Sequence, residues 1–199
     1  MKKNERVLSH IILALFLAMT GAYAKSLVAI ELVPADKVVE NVSQAIHYIE
    51  KNSELTVMFP NEVPPENKLK LFAAYNSYSM KSNYNQFWMI TFSTHPHCQV
   101  HSCVKGSMSA EKNGKLVKDY IQAPFGLNHQ PILKQKVKLA HHTIIGYYTP
   151  GHAEADWHAP NIEWQVGNVL YQLTWDVKEN AKQTLTTMAD FAIQSSRHR

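Results

Sequence analysis

Residues Ile162 to Trp175 alternate with a period of two, and this pattern constrains the fold more than any other stretch of the chain. Ile162, Trp164 and Val166 fall on one face, with Glu163 and Gln165 on the other. After Gly167-Asn168 the apolar series resumes with Val169, Tyr171, Leu173 and Trp175, opposite Gln172 and Thr174. Side chains of a strand point alternately to either side, so the pattern predicts an antiparallel hairpin with one dry face. Trp164, Tyr171 and Trp175 lie on that face and are expected in the core. Behind the hairpin, Ala181, Leu185, Met188, Ala189, Ala192 and Ile193 recur at helical spacing. They give a terminal helix an apolar stripe with which to cover the sheet. Asp176, followed three residues later by Glu179, resembles a capping box at its start.

The rest of the chain supplies partners for this unit. From Asp36 to about Asn52, Val38, Val42, Ala45, Ile46 and Ile49 form one face of an amphipathic helix, with Asp36 as its cap. Leu55 to Phe59 reads as a short strand stopped by Pro60, and the following prolines mark a loop. Leu71 to Met80 is a further strand. Gln86 to Phe92 is apolar on both faces, as expected of a central strand covered on each side. Val104 to Ala110 alternates weakly, and Asn113-Gly114 predicts a hairpin into Leu116 to Gln122. Lys136 to Leu139 and Thr143 to Tyr148 are two more strands. The expected fold class is therefore α+β: an antiparallel β-sheet meander flanked by an N-terminal and a C-terminal α-helix.

The N-terminus points to the compartment. Lys2, Lys3 and Arg6 precede the apolar run Ile11 to Met19, and Ala22-Tyr23-Ala24 follows. That is the plan of a secretory signal peptide over residues 1–24, cleaved before Lys25. The apolar run is shorter than the roughly 20 residues of a membrane span. Export to the periplasm or the medium is expected, with residues 25–199 as a single α+β globular domain and no stable membrane insertion. The formal net charge is +4, with three of the positive residues in the signal. Positive charge is scattered along the mature chain, which argues against nucleic acid as a partner. Cys98 and Cys103 are the two cysteines, and in an exported chain they predict a disulfide closing a short loop.

Phe59-Pro60 with Val63-Pro64-Pro65, the strand ending in Cys98-x-x-x-x-Cys103, and Ile162-Glu163-Trp164 with Gly167 and Tyr171-Gln172-Leu173 ahead of the terminal helix carry a resemblance. Together they resemble a bacterial secreted domain of unknown function, also found in some anti-sigma-factor-type regulators, over most of residues 50–196. The resemblance implies a small sheet-and-helix domain in the cell envelope. It carries over no catalytic residue.

Two polar clusters could carry chemistry. His95, His97 and His101 surround the cysteines, and imidazoles this close are plausible zinc or copper ligands. The plainer reading is a disulfide-closed loop with solvated histidines, because an oxidising compartment removes the thiolates. The second cluster is His141-His142 with His152, Glu154, Asp156 and His158, which could ligate a metal or act as acid and base. It matches no spaced metal motif, and on a strand His141 and His142 would point to opposite faces. A solvated loop is the plainer reading here too. Trp157 sits in that loop without alternation to bury it, and with His95, His97 and His101 it forms the candidate binding surface. There is no nucleophile elbow and no phosphate loop, and no cofactor is implied. The expected function is a non-catalytic binding or accessory protein of the bacterial cell envelope, with a protein or envelope-component partner. The alternatives are a zinc- or copper-binding envelope protein using the His95–Cys103 loop and a hydrolase using the His152–His158 loop.

Overall fold

The computed structural model describes residues 30–66, 70–79, 86–96, 98, 101–121, 131–151 and 159–196, with the backbone alone at 76–79, 101 and 121. The signal segment 1–24 lies outside them. From the N-terminus the elements are β1 (Val33–Pro34), α1 (Ala35–Val38), β2 (Val39–Glu40), α2 (Val42–Asn52), β3 (Glu62–Val63), β4 (Leu71–Ser79) and β5 (Gln86–Ser93). After a 3-10 turn at His101–Cys103 come β6 (Val104–Lys112), β7 (Tyr120–Ile121), β8 (Ile132–Leu133), β9 (Gln135–Leu139), β10 (Ile144–Thr149), β11 (Asn161–Val166), β12 (Val169–Trp175) and α3 (Ala181–Ser196). Among the described residues, no helix is long and apolar enough to cross a membrane.

The hairpin pairs as its alternation demands, from Asn161 opposite Thr174 to Val166 opposite Val169, with Gly167 at φ 60° in the turn. It sits inside an eight-stranded sheet of order β2-β4-β5-β6-β12-β11-β10-β9. Only β2 against β4 is parallel among the pairings of that sheet. The sheet is two meanders, β4–β5–β6 and β9–β10–β11–β12, joined along β6 and β12, and not one continuous meander. The chain leaves β6 at the centre and re-enters at the far edge.

This arrangement overrides the hairpin expected at Asn113-Gly114. Asn113 takes φ 60° and donates its N–H to the Asn168 carbonyl at 2.6 Å, so the turn serves the neighbouring hairpin. Of Leu116 to Gln122, Tyr120–Ile121 is a strand, and it pairs with β8. The edge of β6 is instead taken by β12, setting Ala110, Met108 and Gly106 opposite Tyr171, Leu173 and Trp175. Burying that set outweighs what a local turn can offer. Gly106 is needed there, since a Cβ would come within 2.7 Å of the Trp175 ring.

One face of the sheet is dry. Trp88, Ile90, Phe92, Met108, Ile162, Trp164, Leu173 and Trp175 are fully buried, and Tyr171 nearly so. Leu185, Met188, Ala189, Ala192 and Ile193 of α3 join them in one core with Val42, Ala45 and Ile49 of α2. The helix α2 packs on β4, and α3 packs on β9, β11 and β12. On the opposite face Phe87 and Met89 are only half-buried. β5 is thus central but covered by helices on one side, which corrects the two-sided expectation. That outer face holds an ion pair between Lys134, 1% exposed, and Glu163, 15% exposed.

Three local expectations change. The N-terminal helix does not run from Asp36. It breaks at β2, and Asn41 adopts φ 54°. The Asn41 amide then pairs with the backbone of Ala73, donating to its carbonyl at 3.0 Å and accepting from its N–H at 3.1 Å. The side chain continues the ladder that Val39–Leu71 and Glu40–Phe72 begin, so a strand register wins over helical continuity. Leu55 to Phe59 forms no strand, although Leu55, Val57, Met58 and Phe59 are all buried. Side chains serve its carbonyls: Tyr171 Oη donates to Thr56 O at 3.2 Å and Ser195 Oγ to Phe59 O at 2.9 Å. Finally, Asp176 and Glu179 cap nothing, because α3 begins at Ala181. Asp176 is held by Lys105, through its N–H to Lys105 O at 2.7 Å and its carboxylate to Nζ at 3.2 Å.

Candidate functional site

Cys98 and Cys103 are joined, with Cα atoms 6.0 Å apart. The bond closes the loop between β5 and β6, below a ladder bond from Thr94 N–H to Cys103 O at 2.9 Å. Both sulfurs are therefore withdrawn from any metal set. His95 is exposed, with Nδ1 2.8 Å from Thr94 Oγ1. His97 and the His101 side chain lie outside what is described, as do Trp157 and the His152–His158 loop. Among the described residues, no three histidine, cysteine or carboxylate side chains gather as a metal set.

His141 and His142 are not on a strand. They occupy the turn between β9 and β10, where Ala140, His141 and His142 take φ of 48°, 53° and 72°. Asp190 Oδ1 accepts the Ala140 N–H at 2.7 Å, and Thr143 Oγ1 donates to Ala140 O at 2.7 Å, tying the turn to α3. Both histidines are exposed.

A concave feature rich in positive charge lies on other residues. A cleft of about 830 Å³ opens where the edge strand β9 meets the first turns of α3. Strand alternation turns Val137 and Leu139 toward α3, leaving Lys136 and Lys138 exposed. Across the cleft stand Lys178, just before the helix, and Lys182 in its first turn. Among the described residues, no carboxylate lines the cleft. None of the four lysines is in an ion pair among the described residues. The unsatisfied N–H groups of the first turn of α3 add partial positive charge at the same place. Val137 and Tyr148 give the wall an apolar part. Burial pushes the Tyr148 hydroxyl above its ordinary pKa.

This cleft was not visible in the sequence. Lys136 and Lys138 carry a strand's alternation and Lys178 and Lys182 a helix's four-residue spacing, each pair ordinary by itself. Charge that is scattered in the chain is gathered by the pairing of β9 with β10 and the packing of α3 beside it. A carboxyl with a shifted pKa occurs at Glu66, raised by burial against the pull of Lys105, with a further push from the nearby Asp176 charge. It lies outside the cleft. No family model, no curated protein and no solved structure matches the chain.

Proposed function

We propose that the chain is an exported, non-catalytic binding or accessory protein of the bacterial cell envelope, and that it holds its partner in the cleft between β9 and α3. The observation that carries this reading is that Lys136, Lys138, Lys178 and Lys182 line one concavity in which no described residue is a carboxylate. Four lysines at one cleft with no ion-pair partner among the described residues favour an anionic partner. The signal-like N-terminus and the Cys98–Cys103 bond support export into an oxidising compartment.

The test is a photoreactive residue placed at Thr187, on the cleft wall, with a control at His47, exposed on α2. In envelope preparations the Thr187 probe should yield a discrete adduct that the paired change Lys136→Glu and Lys182→Glu abolishes. The control should not. Equal adducts from both positions, or adducts indifferent to the charge reversal, would sink the reading.

A further inference from the structure

The free edge of β9 forms one side of this cleft, and the backbone there bears on what the cleft would take. Among the described residues, β9 pairs with β10 along one edge only. Just before it, Lys134 donates its N–H to Asp119 O at 3.0 Å, extending the β7–β8 pairing on the other edge. Strand N–H groups alternate between the two edges, so those of Lys136 and Lys138 share the outer edge with that of Lys134. No described residue accepts the Lys136 or Lys138 N–H on that edge. Among the described residues the ladder is thus open beside Lys136 and Lys138.

Resting on the binding reading above, we infer that the occupant is an extended acidic peptide segment that adds to β9 as a further strand. Lysines on an edge strand also discourage pairing with other edges, and that role would account for Lys136 and Lys138. It does not account for Lys178 and Lys182, which come from another element. A strand laid along β9 points its side chains alternately to the two faces of the sheet. One set meets Lys136 and Lys138, and the other meets Lys178 and Lys182 on the helix side. The partner's acidic residues are therefore consecutive, not alternating. Backbone bonds to an open edge supply affinity while side chains supply selection.

The probe is a blocked hexapeptide of four consecutive glutamates between two threonines, titrated into the mature protein by amide NMR. The Lys136 and Lys138 amides should gain hydrogen-exchange protection of about tenfold or more, as new ladder bonds form. N-methylation of alternate peptide amides should weaken binding about tenfold, and the Lys136→Glu, Lys182→Glu protein should not bind. A polyphosphate of equal charge separates charge from strand pairing. If it protects nothing on β9, yet the peptide binds no better and ignores N-methylation, strand addition is refuted and an electrostatic cleft remains. If no acidic probe binds while the Thr187 adduct persists, the acidic class is wrong and the binding reading stands. Loss of the charge-dependent adduct as well removes both.

Discussion

Asn41 is the residue whose removal should say most about how the N-terminal segment is attached. Its amide makes two hydrogen bonds to the Ala73 backbone, at 3.0 and 3.1 Å, and its own φ is 54°. Each bond contributes about 0.5–1.5 kcal/mol net, and losing them strands a part-buried N–H and carbonyl. A left-handed conformation costs a residue with a Cβ about 1–2 kcal/mol, less for asparagine than for alanine. Asn41→Ala should therefore destabilise the protein by about 2–4 kcal/mol. Asn41→Gly loses the same two bonds but adopts φ 54° freely, and should cost about 1 kcal/mol less than alanine. Asn41→Asp keeps an acceptor for the Ala73 N–H while setting a carboxylate against its carbonyl, so it should fall between wild type and alanine. Urea unfolding at neutral pH, followed by fluorescence of the buried Trp88, Trp164 and Trp175, reads all three. An alanine variant within about 0.5 kcal/mol of wild type would refute the side-chain ladder. Glycine as costly as alanine would refute the role assigned to the backbone angle.

Three further outcomes follow from other parts of the fold. Lys134→Met leaves the Glu163 carboxylate in a poorly solvated place without its cation, costing about 3 kcal/mol, and adding Glu163→Gln should recover most of it on chemical denaturation. Because the folded state raises the Glu66 pKa, it binds more protons than the unfolded chain above about pH 4.5, and Glu66 erodes stability as pH rises from there toward its folded pKa. The stability advantage of Glu66→Gln should grow through that window and then level off, and an advantage that stays flat or shrinks from pH 4 to 7 would contradict this. Replacing Cys98 and Cys103 by serine should cost on the order of 2 kcal/mol, the entropy of a short closed loop, with unchanged circular dichroism of the sheet.

The elements most legible in the sequence were those whose pattern repeats over a length that only one structure satisfies. The 162–175 alternation yields a hairpin wherever it is placed, and the stripe Leu185, Met188, Ala189, Ala192 and Ile193 needs a dry face to lie on. The Cys98–Cys103 pairing was legible because no other cysteine competes. Where two local preferences were close in energy, long-range contacts decided. Asn41 could have continued a helix, but the Ala73 backbone, 32 residues away, gave its amide two bonds. Asn113-Gly114 could have closed a hairpin with its successor, but β12 brought more apolar surface to the edge of β6. The cleft depends most on tertiary structure. Lys136 and Lys138 stand on an edge strand, Lys178 and Lys182 at a helix start some forty residues later, and neither pair is unusual alone. Periodicity tells a residue which side of its own element it occupies. Only packing tells it which other element that side will face, and that is where charges scattered along the chain become a field within one cleft.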